Sequence, residues 1–105
     1  MQTPDDPDDQ TQPQLRDNPA QRRFEVLVDG ELAGYAAYDL DGEVLVFTHT
    51  EVQPAHEGQG LAARLARYGL DEVRRRGLRA VPACSYIAAY LRRHPADAAL
   101  VDARG

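Results

Sequence analysis

From Phe24 onward the hydrophobic positions fall into periods that separate strands from helices. Phe24, Val26 and Val28 alternate with Glu25, Leu27 and Asp29, a period of two that predicts a strand ending at the turn pair Asp29-Gly30. A second run, Leu32 to Leu40, closes at Asp41-Gly42, and a third extends from Val44 to Val52. Two Asp-Gly pairs between three such runs predict an antiparallel meander with type I′ turns, which hold both central residues at positive φ. Beyond Gly60 the period becomes helical. Ala62, Leu65, Ala66, Gly69, Leu70 and Val73 share one stripe, and Arg64, Arg67, Asp71, Arg74 and Arg75 the other, so an amphipathic helix is expected up to Gly77. Gly69 costs about 1 kcal/mol of helix propensity relative to Ala, which suits a helix lying unusually close to a sheet. Leu78 to Ala83 predicts a short strand, and Ser85 caps a second helix that Pro95 stops near His94. The result is an α/β chain of order βββαβα. Its crossover from the third strand to Leu78 has the length of a parallel, right-handed connection.

Residues 1–21 break this pattern. Pro, Asp, Gln, Asn and Thr dominate them, with Leu15 and Ala20 almost the only apolar residues after Met1. Such a segment buries too little surface to offset the entropy of ordering it, so a disordered acidic leader is expected, followed by one folded domain over 22–105. The leader holds Asp5, Asp6, Asp8 and Asp9 and accounts for most of the net charge of −5. That charge argues against general nucleic-acid binding. There is no apolar run of membrane-spanning length and no signal-peptide pattern, and the single cysteine, Cys84, requires no oxidising compartment. A cytoplasmic protein, monomeric or weakly dimeric and not bound to membrane, is expected.

The chemistry concentrates where the third strand ends. Val52 leads into Glu57-Gly58-Gln59-Gly60-Leu61-Ala62, and this glycine turn opens directly into the helix. A strand, glycine turn and helix in that order leave the first helical N–H groups unpaired and aimed outward, at the positive end of the helix dipole. Phosphate esters suit such a cradle. Arg64 and Arg67 stand in the first two helical turns, where they either reach phosphate oxygens or stay solvated as exposed helix arginines. His49, Glu51 and His56 match no common zinc spacing, and one cysteine supplies no second thiolate, so no metal is expected.

These residues resemble the GNAT superfamily of acyl-CoA-dependent N-acetyltransferases, in particular its very small YjdJ-like branch, over roughly residues 22–95. The superfamily pattern Gln/Arg-x-x-Gly-x-Gly/Ala follows a strand with a hydrophobic end and a nearby proline. Val52, Pro54, Gly58, Gly60 and Ala62 stand in those places. The small branch adds a His-Thr-Glu-Val strand end and a Cys-x-Tyr-Ile helix start, matched by His49-Thr50-Glu51-Val52 and Cys84-Ser85-Tyr86-Ile87. The resemblance implies a minimal GNAT-type fold and acetyl-CoA as acyl donor. The pyrophosphate would lie on the backbone of Glu57, Gly58, Gln59, Gly60, Leu61 and Ala62, with Arg64 nearby, and the pantetheine arm beside Thr50 and Val52. Glu57 stands where the family usually has Gln or Arg, so binding would rest on backbone N–H groups. The elements that shape the acceptor site of larger members have no counterpart, and the amine or other small nucleophile that accepts the acetyl group does not transfer.

The resemblance also implies catalytic roles. Cys84 would lie where the thioester emerges. There it either carries the acetyl group as a thioester, helped by the helix N-terminus, or packs as a small buried hydrophobe. Without covalency, His49 and Glu51, which share a strand face, supply the base, the Val52 N–H supplies the oxyanion donor, and Tyr90 protonates the leaving thiolate, with Tyr86 one turn earlier. The competing function is a CoA-binding or protein-interaction module that keeps the cradle without turnover.

Overall fold

A computed structural model of the chain describes residues 12–102. The elements are β1 (Gln14–Asn18), β2 (Arg23–Val28), β3 (Glu31–Asp41), β4 (Val44–Val52), α1 (Leu61–Arg75), β5 (Arg79–Pro82) and α2 (Ser85–Arg93), with 3-10 turns at Pro54–His56 and Pro95–Leu100. The five strands form one sheet in sequence order, antiparallel except for the parallel β4–β5 pair. The mixed α/β order expected from the sequence is present, with one strand added in front.

That strand overturns part of the disorder expectation. Gln14–Asn18 lies inside the predicted leader yet pairs along its length with β2, from Gln14↔Leu27 to Asn18↔Arg23. Its composition is as polar as it looked; charged contacts hold it instead. Arg16 Nε and Asn18 Nδ2 donate to the Glu25 carboxylate at 2.7 and 3.0 Å. Tyr38 Oη and Arg76 Nη2 each donate to Asp17 at 2.7 Å. Residues 1–11, with the four clustered aspartates, lie outside the described residues.

The turns separate into two kinds. Asp29 and Gly30 have φ of 53° and 79°, as a type I′ turn requires. Asp41 instead stays in β3 opposite Val44, and the second turn is Gly42-Glu43 with positive φ at Gly42 alone, so the type I′ expectation fails there. At the end of α1, Gly77 takes φ 70°, its N–H bonds Arg74 O and the Leu78 N–H bonds Val73 O, the Schellman arrangement that satisfies the last carbonyls. The cap of α2 is Cys84 rather than Ser85, which is the first helical residue.

One hydrophobic cluster joins Leu61, Leu65, Leu70 and Val73 of α1 and Ile87 and Leu91 of α2 to Phe24, Ala36, Tyr38, Leu45 and Phe47 of the sheet. Gly69 is where helix and sheet come closest: a Cβ there would sit 2.7 Å from Phe47 Cε1 and 3.2 Å from Phe24 Cδ2. The helix stripe expected from the sequence is the buried one, and its glycine has the expected reason. The other face of the sheet carries polar side chains and no packed helix among the described residues. No helix among them is long and apolar enough to cross a membrane.

Candidate active site

The site begins with a fault in β4. Tyr38 pairs with Phe47, but the next β3 residue, Ala37, pairs with His49, so Thr48 is an extra residue, a β-bulge. A bulge reverses the alternation of side chains. Phe47 is fully buried on the helix face, and beyond Thr48 it is Thr50 that turns inward, while His49 and Glu51 turn to the open face. Pairing with β5 stops at the same point, with Phe47↔Pro82 the last pair. From Thr48 to Val52 the edge of β4 therefore has no neighbouring strand. Gln53 N–H bonds Ala33 O on the β3 side. Successive strand residues present their N–H and C=O to alternate edges, so Val52 and Thr50 present theirs to the open gap.

The loop after β4 supplies the second half. Gly58 and Gly60 adopt φ of 83° and 74°, and Gly60 is the left-handed N-cap of α1 with no side-chain cap bond and no acidic residue in the following turn. The first N–H groups of α1 thus have neither an intrahelical acceptor nor a side chain over them. A Cβ on either glycine would meet nothing within 4 Å, so the space above the turn is open. A pocket of about 240 Å³ lies there, bounded by Val52, Glu57, Gly58, Gly60 and Ala62 and closed by Tyr86 of α2. Leu61 is a core residue whose contribution is its backbone. Gln59 turns aside, its Oε1 3.3 Å from His56 Nδ1. Uncapped donors, open volume and an adjacent strand edge fit a phosphate ester with a long polar arm. The exposed Glu57 at the rim adds an unfavourable charge.

Cys84 joins the two halves. It is 8% exposed at the N-terminus of α2, with Sγ 3.4 Å from Thr50 Oγ1 at the gap. Burial pushes its thiol pKa up, but the Thr50 hydroxyl and the Ile87 and Tyr86 backbone N–H groups stabilise the thiolate more, and the net position is below the ordinary value. His49 Nε2 and Glu51 Oε1 stand 3.0 Å apart, each side chain more than half exposed. Because the bulge sends them to the opposite face from Thr50 and Cys84, the cysteine and the His49–Glu51 pair flank the gap from two sides. His49 is no partner for the thiol.

Three basic or aromatic expectations fall elsewhere. Arg64 and Tyr90 line a separate open groove of about 320 Å³, not the loop pocket. The Tyr90 ring stacks on His94 at 3.9 Å, and its carbonyl oxygen is 2.8 Å from His94 Nδ1. Arg67 binds Asp97 at 2.8 Å and Asp71 at 3.2 Å, and Arg74 binds Asp97 from the other side. It neutralises a nearly buried carboxylate instead of awaiting a phosphate. The tyrosine at the loop pocket is Tyr86, whose hydroxyl pKa burial raises above the ordinary value. Its signal was the Cys-x-Tyr-Ile start of α2, where the second helical residue faces the same gap as the cap.

Strand edge, uncapped glycine turn and parallel β4–β5 crossover thus lie together at one end of the sheet, and the family model of GCN5-related N-acetyltransferases matches residues 23–100: the chain belongs to that family. Among curated proteins it is similar to Protein NATD1 of Gallus gallus, 33% identical over 84 residues, covering 78% of this chain and 76% of that one. Protein NATD1 of Homo sapiens is 36% identical over 76 residues, 70% of this chain and 67% of that one. Among solved structures, the ribosomal-protein-S18-alanine N-acetyltransferase from Escherichia coli matches with a TM-score of 0.52 at 24% identity, over 56% of this chain and 39% of that one, a likeness of fold. The family match starts at Arg23, so β1 lies before it.

Proposed function

We propose that the chain is an acetyl-CoA-dependent N-acyltransferase acting at the β4 gap. The observation that carries this is the continuity of the gap with the uncapped glycine turn, which offers strand-edge donors and acceptors at Thr50 and Val52 and helix-start N–H groups a few residues on. In this reading the backbone from Gly58 to Ala62 holds the pyrophosphate, and the β4 edge holds the pantetheine amides. The bound donor supplies an activated thioester carbonyl.

The residues around the gap then divide the work. Glu51, with His49 bonded to it, takes the proton from the acceptor amine on the open face as nitrogen bonds to the carbonyl carbon. The Val52 N–H faces the oxygen on which negative charge develops. The carbon–sulfur bond breaks, and Tyr86, at the α2 side of the gap, gives its proton to the departing sulfur. Acetyl-CoA, incubated with a panel of amines, peptides and polyamines, should release free CoA thiol only in the presence of protein and acceptor. A protein that binds acetyl-CoA but releases no thiol with any acceptor is a binding module.

A second route is favoured by one observation, the thiolate-stabilising surroundings of Cys84 beside Thr50. Here the Cys84 sulfur bonds to the acetyl carbon, CoA leaves as its thiol, and the amine later displaces the cysteine sulfur. Intact mass after incubation with acetyl-CoA should then show one acetyl adduct that Cys84→Ser abolishes. An unmodified mass under trapping conditions leaves direct attack.

A further inference from the structure

The open face of the sheet carries a continuous polar row across four strands. Arg16, Glu25, Tyr35 and Glu51 stand side by side in register, and Arg23 and His49 lie in the neighbouring row. The row is built on a buried carboxylate: Glu25 is 1% exposed and accepts from Arg16 Nε at 2.7 Å and Arg23 Nε at 2.6 Å. Two guanidiniums on one carboxylate leave a net positive charge over β1 and β2. Arg23 uses only Nε in that bond; its guanidinium lies 4.8 Å from the centre of the Tyr35 ring, and 23% of the side chain is in reach of solvent. The Tyr35 ring is 6.0 Å from that of His49, which meets Glu51 at the β4 edge. The face is therefore a dipole, with its cationic and anionic ends carried on strands whose backbones lie about 10 Å apart, and an aromatic ring between them.

We propose that this face is the acceptor site and that it selects dipolar amines. The ammonium group sits at Glu51, an acid group of the same molecule sits at Arg23, and the connecting carbons lie over Tyr35. This inference rests on the proposed function and adds the substrate class. The polarity is productive, because the amine end falls at the β4 gap where the thioester would lie. Plain alkylamines lack the second contact, and diamines place a second cation against Arg23.

Thiol release from acetyl-CoA, measured for aminohexanoate, hexylamine, diaminohexane and β-alanine at low salt, tests this. Aminohexanoate should exceed the other three in kcat/KM by tenfold or more. β-Alanine falls short because its acid group cannot reach Arg23. The margin should shrink as salt screens the ion pair. Arg23→Gln should raise KM for aminohexanoate and bring its kcat/KM down to that of hexylamine, while Arg23→Lys, which keeps the charge, restores part of the preference. Equal rates for aminohexanoate and hexylamine, a preference for the diamine, equal loss on all acceptors in Arg23→Lys, or inactivity on all four with acetyl-CoA bound would each overturn the assignment. Absence of acetyl-CoA binding, read separately by thermal shift, would overturn the proposed function itself.

Discussion

Gly69→Ala is a perturbation whose sign the structure decides. Two terms oppose each other. Replacing a helix-interior glycine by alanine gains about 1 kcal/mol of propensity. The new Cβ, however, would stand 2.7 Å from Cε1 and 3.0 Å from Cζ of Phe47 and 3.2 Å from Phe24 Cδ2. Both rings are fully buried, and they pack 6.2 Å apart, so neither moves without displacing the other. Overpacking of this kind costs about 1–3 kcal/mol. With contacts this short the upper part of that range applies, and a net loss of about 1–2 kcal/mol is expected once propensity is subtracted. For a domain of this size that is a fall in Tm of about 4–16 °C, since each 1 kcal/mol shifts Tm by about 4–8 °C. Urea unfolding followed by circular dichroism, with thermal melts alongside, reads it. Phe47→Leu in the same chain should recover part of the loss by removing the ring that clashes, making the pair non-additive. A Gly69→Ala protein as stable as the parent or more so would refute the close approach of α1 to the sheet. Phe47 also precedes the Thr48 bulge, so a displaced ring should weaken the gap as well as the core.

Other outcomes follow from the same contacts. Glu25→Gln should cost about 1–2 kcal/mol, below the value for a fully enclosed ion pair because Arg16 reaches water, and should raise hydrogen exchange in β1 before the rest of the sheet. Burial raises the Glu25 pKa, but its bonds from Arg23, Arg16 and Asn18 lower it more, to below its ordinary 4.5. A carboxyl whose folded pKa is depressed contributes stability above its unfolded pKa and loses it as pH falls through the folded one. Parent stability should therefore decline below about pH 4.5, and Glu25→Gln should flatten part of that decline, as urea midpoints across acid pH will show. Gly60→Ala forces a non-glycine residue to φ 74° at a cost of about 1–2 kcal/mol and sets a methyl group in the open space above the turn, so acetyl-CoA affinity measured by calorimetry should fall with stability. Tyr86→Phe should lower turnover about a hundredfold, whereas Tyr90→Phe, whose ring lies in the other groove, should leave thiol release intact.

Periodicity made the meander and both helices legible, because each buries one regular face. Asp29-Gly30 and the Gly69 anomaly were equally readable, one from turn chemistry and the other from propensity. β1 was not, since Gln14–Asn18 has almost no apolar surface of its own; it is stabilised by Glu25, Tyr38 and Arg76, residues up to 59 positions distant in sequence. The bulge at Thr48 was also invisible. Simple alternation from Leu45 and Phe47 would place His49 and Glu51 inward, and only the register with Ala37 shows them on the open face. The glycine turn was recognisable from its local pattern, but the choice between Tyr86 and Tyr90 depended on how α2 is rotated over the gap. The Arg67 ion pair was hidden for a related reason: its partner Asp97 comes from a 3-10 turn the sequence did not indicate.

Backbone amide NMR of the full chain titrated with CoA tests the central claim most directly. Binding at the proposed site predicts saturable shifts concentrated at Gly58 to Ala63 and at Thr50 to Val52, with the largest changes at the first N–H groups of α1. Shifts confined to the Arg64–Tyr90 groove, or none at millimolar CoA, would contradict the assignment of this loop and strand edge as the coenzyme site.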